Sequence, residues 1–222
     1  MLEAVTDKVK LMFVCSPGNP TAKAIPLSDI QKLAESSYRG IIVVDEAYVD
    51  FSTETSAISL IENYPNVVVL QTLSKAFGLA GIRCGFCVGS DDVIQLMNNV
   101  KAPYNVNKLT SEVAINALKN IGTLDKNVKV LLEERTKLTK GLEALEFVVK
   151  VYPSDANFLL VRLKKNSRMI YKSMADNGIV VRYRGSEMHC EECLRITVGT
   201  PDENKAFLEL LMKTYSKLDI DQ

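Results

Sequence analysis

Short apolar runs and helix-spaced apolar positions alternate along the first part of the chain. Residues 41–44 (IIVV) and 67–70 (VVVL) are runs of the kind that marks strands buried on both faces. Apolar residues from Leu27 to Ala34 recur at helical spacing between a proline and Gly40. This alternation predicts an α/β fold whose mostly parallel sheet is flanked by helices. Further strands are expected at residues 11–15 and 84–88, and further helices at residues 56–64, 91–99 and from Thr110 onward.

The second half of the chain begins with a predicted long amphipathic helix at residues 124–145, where leucine and valine recur at steps of three, four and seven. We expect its charged residues, Glu133, Glu134, Arg135 and Lys137, to lie mostly on the solvent side. This helix connects a first α/β domain at residues 1–123 to a small C-terminal α/β domain at residues 146–222. The strands expected there are residues 148–151, 158–161, 179–182 and 194–198, and the helices are residues 167–177 and 201–216.

The amino-acid composition indicates which kinds of molecule the protein binds. The 222 residues include 27 lysines and arginines and 27 aspartates and glutamates, a balance that argues against nucleic acid or an anionic membrane surface and favours small molecules. No apolar run approaches the roughly 18 to 20 residues of a membrane span, and the first residues do not have a signal-peptide pattern. We therefore expect a cytoplasmic protein with an ample core.

Five cysteines include two CxxC pairs, Cys84–Cys87 and Cys190–Cys193. The pairs are too far apart for a zinc ribbon, and Cys84 and Cys87 fall in a predicted strand, where positions three apart point to opposite faces. We therefore predict no metal site and consider redox chemistry still less favoured. The preferred interpretation is that these are small buried apolar side chains.

Three polar residues follow the two apolar runs. Asp45 and Tyr48 come directly after the first run, and Lys75 follows the second. Ligands of open α/β sheets bind beyond the carboxyl ends of the strands, so these groups are expected at one crevice. An amine, an acid and a phenol suit pyridoxal phosphate, which needs a covalent link, a partner for its ring nitrogen and a partner for its ring hydroxyl.

Four motifs in order carry a resemblance to a known family. Together they resemble the fold-type I pyridoxal-phosphate-dependent aminotransferases, and most closely the histidinol-phosphate aminotransferases. The fold implied is a partial cofactor-binding large domain followed by the small C-terminal domain. The motifs are Asn19-Pro20-Thr21, Asp45-Glu46-Ala47-Tyr48, residues 72–83 (TLSKAFGLAGIR) and residues 194–200 (LRITVGT).

The resemblance implies a role for each residue of the cofactor site. Lys75 would bond to the cofactor aldehyde and then act as general acid and base, while Asp45 would keep the ring nitrogen protonated. Tyr48 and Asn19 would donate hydrogen bonds to the ring oxygen. Asp45 as a turn former and Asn19 as a turn residue before proline remain alternatives. Thr72, Ser74 and Arg83 would hold the cofactor phosphate.

The resemblance also implies a substrate site. Arg195 would bind the carboxylate of glutamate or 2-oxoglutarate through a two-pronged pair, with a chance surface arginine as the alternative. Arg182 would contact the substrate phosphate or the second carboxylate of glutamate. Arg184, which is nearby in the sequence, is the alternative residue for this contact. Tyr104 would line the pocket, and a half-buried core aromatic is an equal alternative.

By resemblance, the reaction transfers an amino group between glutamate and imidazole-acetol phosphate, giving L-histidinol phosphate and 2-oxoglutarate in histidine biosynthesis. A homodimer is implied. Family members have a substantial segment before the Asn-Pro-Thr loop that this chain lacks, so we expect exposed apolar surface on the sheet. The alternatives are a threonine-phosphate decarboxylase or aromatic aminotransferase of the same branch, a metal-binding module, and a noncatalytic remnant of the fold.

Overall fold

A computed structural model describes residues 1–220. Its internal contacts define two compact units. The first unit contains residues 1–18 and 23–126, and the second contains residues 19–22 together with the chain from residue 127 onward.

Four strands form the sheet of the first unit, in the order β1-β2-β3-β4. β1, β2 and β3 run parallel, and β4 runs antiparallel to β3, which confirms a mostly parallel sheet. β2 and β3 form where the β-branched runs predict them. The strands are β1 (Leu11–Cys15), β2 (Ile41–Asp45), β3 (Val67–Thr72) and β4 (Gly85–Val88).

One helix packs on one face of this sheet. α1 (Leu27–Glu35) connects β1 to β2 and buries Ile30 against the sheet, together with Met12 and Val14. On the opposite pleat of β1, Leu11 and Phe13 are 55% and 61% exposed, so apolar sheet surface is exposed as expected. The segment expected to be a helix at residues 56–64 forms only one 3-10 turn, Ala57–Leu60, because Pro65 follows closely.

Three helices follow β4. They are α2 (Asp91–Val100), α3 (Lys108–Lys119) and α4 (Ile121–Glu143). Asn107 begins α3 with a side-chain cap, since its Oδ1 accepts a hydrogen bond from the Thr110 backbone N–H at 2.9 Å. The long helix predicted from the leucine spacing is α4, and it begins three residues earlier than the pattern indicates.

The second unit is built on an antiparallel sheet of order β5-β6-β8-β7. Its core contains Leu142 of α4, Leu194 and Leu211, none of which is exposed. The elements are β5 (Val148–Val151), β6 (Phe158–Leu163), α5 (Ser167–Asp176), β7 (Arg182–Tyr183), β8 (Cys193–Thr197) and α6 (Pro201–Ile220).

The strand expected at residues 179–182 is displaced toward the C-terminus. The Ile179 backbone N–H donates to the Met174 carbonyl at 3.0 Å, so this residue still satisfies the end of α5. Pairing begins only at Arg182, which lies opposite Arg195 of β8. The apolar residues 179–181 therefore form the approach to β7 rather than its body.

The expectation that Glu134 faces solvent is wrong, because this residue is only 4% exposed. Its carboxylate accepts hydrogen bonds from Lys137 Nζ at 2.7 Å and from Asn204 Nδ2 at 3.0 Å. The hydrogen bonds from Lys137 and then Asn204 lower the pKa of Glu134 below its ordinary value of 4.5. Asn204 is 70 residues away along the chain, so the helical pattern of α4 gives no sign of this contact.

Replacing Glu134 with glutamine is expected to remove a pH-dependent contribution to stability. A carboxyl whose folded-state pKa is lowered stabilises the fold above its ordinary pKa, and this stabilisation is lost as the pH falls through the folded value. The free energies of unfolding of the wild type and Glu134→Gln should therefore differ at about pH 7 and converge as the pH falls through the lowered pKa of Glu134. Urea titrations measure both, with Glu133→Gln, an exposed neighbour on α4, as the control. A difference that persists unchanged at low pH would contradict the assignment.

Candidate active site

The carboxyl ends of β2 and β3 place an acid, a phenol and an amine in one region of the first unit. Asp45 is the last residue of β2, and Tyr48 follows in a turn with its side chain 8% exposed. Lys75 comes three residues after β3, and its Nζ lies 5.3 Å from the centroid of the Tyr48 ring. β2 and β3 are neighbours, with Asp45 opposite Leu70, so the two strand ends adjoin.

The Asp45 side chain also has a local structural contact. Its Oδ1 accepts a hydrogen bond from the backbone N–H of Ala47 at 3.0 Å, an Asx-type turn that leads the chain toward Tyr48. The turn-forming role considered from the sequence is therefore real. It engages one carboxylate oxygen, and it holds the side chain at the strand end where a cofactor role would need it.

Hydroxyl groups follow β3 in a linked pair. Thr72 Oγ1 lies 3.0 Å from Ser74 Oγ and accepts a hydrogen bond from the Ser74 backbone N–H at 3.1 Å. Arg83 ends the next 3-10 turn, Ala80–Ile82, with a left-handed backbone at φ 53°, and its guanidinium donates to the Ala80 carbonyl at 3.1 Å. Arg83 is exposed, which leaves room for an anionic group beside its donors.

Glu46 is a residue that the sequence reasoning missed. It is 3% exposed, and its carboxylate accepts hydrogen bonds from Ser56 Oγ at 2.6 Å, the Ala57 N–H at 2.7 Å and Gln71 Nε2 at 2.9 Å. These bonds fix the segment after Asp45 against β3. Its position next to Asp45 was the only available signal, because its three partners come from elsewhere in the chain.

Acidic groups set the local electrostatics of this strand edge. Burial raises the pKa of Asp50, and the nearby Glu46 charge raises it further. Burial, and then the charge of Asp45, raise the pKa of the Cys15 thiol, which lies opposite Asp45 in the sheet. The strand edge is therefore rich in acidic groups.

An arginine site lies on the antiparallel sheet of the second unit. Arg182 and Arg195 are directly opposite each other on β7 and β8, so both side chains lie on one face. Arg195 Nη1 donates to Asn19 Oδ1 at 2.8 Å, and its guanidinium carbon lies 5.0 Å from the centroid of the Phe158 ring. Two like charges placed opposite each other repel, and an anion bound between them relieves that repulsion.

The remaining expected site residues take different positions. Tyr104 lies in the loop between α2 and α3 with a positive φ of 57° and a side chain that is 95% exposed, so the structure places it in solvent. Arg184 is engaged by Glu187 through a 2.6 Å ion pair. Within residues 1–220, no cluster of three or more His, Cys, Asp or Glu side chains is arranged to hold a metal ion. In the same part of the chain, every helix is too short or too polar to cross a bilayer.

The architecture is similar to that of the fold-type I pyridoxal-phosphate aminotransferases, which is the class of protein that the resemblance implied. A family model for aminotransferase class I and II matches residues 1–211, and the chain belongs to that family.

Individual relatives give closer comparisons. A histidinol-phosphate aminotransferase from Flavobacterium johnsoniae is 43% identical over 211 residues, which are 95% of this chain and 60% of that protein. The crystal structure of the histidinol-phosphate aminotransferase from Clostridium acetobutylicum matches with a TM-score of 0.87 and 25% identity, over 95% of this chain and 65% of that one. An L-threonine-O-3-phosphate decarboxylase from Porphyromonas gingivalis matches with a TM-score of 0.86 and 25% identity, over 97% and 67%. The chain spans about 60% of the length of the curated relatives it matches.

Proposed function

We propose that this chain carries the chemistry of a pyridoxal-phosphate-dependent aminotransferase that transfers an amino group between glutamate and imidazole-acetol phosphate. The products are L-histidinol phosphate and 2-oxoglutarate. The observation that carries the proposal is the position of Lys75 Nζ, 5.3 Å from the Tyr48 ring centroid at the joined ends of β2 and β3. The curated name of the Flavobacterium johnsoniae relative supports the choice of substrate.

The donor set of the first unit fits pyridoxal phosphate. When bound, this cofactor supplies an aldehyde that takes up amines and a protonated ring that draws electrons from the substrate Cα. Lys75 Nζ would hold the aldehyde carbon and then carry a proton to and from the substrate Cα. Asp45 would accept a hydrogen bond from the ring nitrogen and keep the proton there. Tyr48 would donate its hydroxyl proton to the ring oxygen.

The phosphate of the cofactor would be held by the residues after β3. Thr72 and Ser74 present two linked hydroxyl groups, and Arg83 adds an exposed guanidinium. A dianionic phosphate takes hydrogen bonds from hydroxyls and from a forked cation together, and such charge-assisted bonds are the stronger class. The resemblance implies that Asn19 donates to the ring oxygen, and Nδ2 is the donor of its amide, whose oxygen accepts from Arg195.

The paired arginines, Arg182 and Arg195, would bind the anionic groups of the substrates. Arg195 is oriented by Asn19 and Phe158, so its planar fork is held in one geometry, which suits the carboxylate of glutamate. Arg182 is exposed opposite it and would take the phosphate of the imidazole substrate or the second carboxylate of glutamate.

Replacing Arg195 with lysine is expected to raise the KM for 2-oxoglutarate by about 10- to 150-fold, because a hydrogen bond to a charged group contributes about 1.5 to 3 kcal/mol. Lysine keeps the positive charge but lacks the planar guanidinium that donates two parallel hydrogen bonds. Arg162→Lys is the matched control, because Arg162 of β6 pairs with Cys193 and so lies on the same face of the sheet. An equal rise in KM in both variants would show that the effect comes from general charge, and would contradict the role of Arg195.

Transamination assays test the proposed function. The purified chain, supplied with pyridoxal phosphate and glutamate, is expected to convert imidazole-acetol phosphate in strong preference to phenylpyruvate. Preference for phenylpyruvate would identify an aromatic aminotransferase. Release of carbon dioxide from threonine phosphate would instead favour the decarboxylase, the second candidate, which the Porphyromonas gingivalis structure supports. Cofactor binding without any turnover would identify a noncatalytic form of the fold.

We further propose that the chain acts in the cytoplasm and, as the resemblance implies, as a homodimer. Apolar side chains exposed on α2 and α3, including Leu96, Val100 and Leu109, agree with burial in an assembly. Light scattering on the purified chain measures its mass in solution, and a monomer at all concentrations would contradict the proposed dimer.

A further inference from the structure

Two thiols lie side by side in the connection between β7 and β8. Cys190 is 7% exposed and Cys193 is fully buried, and both pack against Leu160 and Tyr152. The CxxC spacing in the sequence therefore places both cysteines in one buried cluster of the fold.

The backbone brings these cysteines together. The Cys193 N–H donates to the Cys190 carbonyl at 2.9 Å, and the Cys190 N–H donates to the Glu187 carbonyl at 3.1 Å. Glu192, inside the turn, has a left-handed φ of 57°. A turn closed by such a bond places its first and last Cα atoms within about 7 Å, which overlaps the span that a disulfide bridges. The Cα separation across this turn is therefore compatible with a disulfide.

The second CxxC pair lacks this arrangement. Cys87 lies within β4, and Cys84 immediately precedes that strand. Residues three apart in a strand point to opposite faces and are separated by roughly 10 Å. Cys87 Sγ instead lies 3.7 Å from Met97 Sδ of α2. The chain thus contains two pairs with the same spacing, and only the Cys190–Cys193 pair is shaped for closure.

We propose that Cys190 and Cys193 form a reversible dithiol–disulfide site that is oxidised by low-molecular-weight disulfides such as oxidised glutathione. The Cys190 thiolate, the more exposed of the two, attacks one sulfur of oxidised glutathione and releases one glutathione molecule. The Cys193 thiolate then attacks the Cys190 sulfur of the mixed disulfide and releases the second. One sulfur–sulfur bond forms as another breaks, and the two electrons and two protons of the protein thiols end on two glutathione thiols.

The surroundings of the pair set the rate of closure. Burial raises the pKa of Cys190, and Glu187 and Glu191 raise it further, while Arg184 lowers it. Burial raises the pKa of Cys193 to about 11, with Cys190 and Glu191 adding to the rise and Arg162 opposing it. Because the thiolate is the attacking species, closure is slow at neutral pH and accelerates as the pH rises. β8 begins at Cys193 and carries Arg195, so closure acts on the strand that presents the arginine site.

Thiol counting on the intact chain tests this proposal. After incubation with excess oxidised glutathione at about pH 8.5, where thiolate fractions are larger, the number of free thiols under denaturing conditions should fall from five to three. Peptide mapping should show the new disulfide between Cys190 and Cys193, and dithiothreitol should restore all five thiols. A count that stays at five, a stable glutathione adduct on Cys190, or a disulfide that involves Cys15, Cys84 or Cys87 would overturn the proposal. The assay does not depend on transaminase activity.

Matched variants locate the pair independently. Cys84→Ser should still lose two thiols on oxidation, falling from four to two, whereas Cys190→Ala should remain at four. The reverse pattern would assign the disulfide to the β4 pair. Circular dichroism of each variant establishes that it is folded, and mapping of the unsubstituted chain decides the question if a variant does not fold.

Discussion

Replacing Lys75 with arginine is expected to abolish covalent attachment of pyridoxal phosphate and to lower transamination by about 10³-fold or more, as removal of a covalent catalytic group does in other enzymes. Arginine keeps a cation beside the Tyr48 ring. Its guanidinium is not deprotonated in proteins, so it can neither bond to the aldehyde nor carry a proton to the substrate Cα. Borohydride reduction followed by peptide mapping measures attachment, and kcat measures turnover.

Lys150 provides a matched control for this experiment. Its Nζ lies 4.7 Å from the centroid of the Tyr152 ring, so it repeats the lysine–tyrosine arrangement in the second unit. Lys150 is on β5 of the second unit and is not among the residues proposed to contact the cofactor. Lys150→Arg is expected to retain both the label and the turnover. Label that persists in Lys75→Arg, or that maps to Lys150, would show that Lys75 is not the attachment site.

The parts of the fold that were predictable from the sequence are those set by local patterns. The β-branched runs gave β2 and β3, and the spacing of leucine gave α4, because burial on both faces or on one stripe leaves a direct trace in neighbouring residues. The start of β7 was wrong by three residues. Its position depends on pairing with β8 and on the end of α5, and neither is visible in the apolar residues 179–181.

Local sequence patterns also fail to predict buried carboxylates, both in the candidate site and outside it. Glu46 and Glu134 are both buried carboxylates whose partners lie far along the chain, at Ala57 and Gln71 for Glu46 and at Asn204 for Glu134. A helical or strand pattern assigns a charged residue to solvent unless a partner is known. The position of Lys75 was different, because two parallel strands must end at one edge and each end was marked in the sequence.

Replacing Asp45 with asparagine is expected to lower transamination by about 10- to 150-fold while leaving the Lys75 label in place. The estimate follows from about 1.5 to 3 kcal/mol for a hydrogen bond to a charged group. Asparagine has nearly the same shape as aspartate. It keeps an oxygen that can accept the hydrogen bond from the Ala47 N–H, which in the wild type is 3.0 Å from Asp45 Oδ1. The substitution therefore removes the negative charge that would hold a proton on the ring nitrogen and spares the turn.

Asp50→Asn is the matched control for Asp45→Asn, because Asp50 is a half-buried carboxylate in the 3-10 turn that follows Tyr48. Its charge is not among those proposed to contact the cofactor, so turnover should be retained. If Asp45→Asn instead transaminates at the wild-type rate, the carboxylate acts only as the turn former seen in its bond to Ala47. If Asp45→Asn loses the label together with activity, Asp45 is needed to bind the cofactor rather than to set its charge. Comparing kcat with label stoichiometry in the two variants therefore separates the electrostatic role of Asp45 from its local structural role.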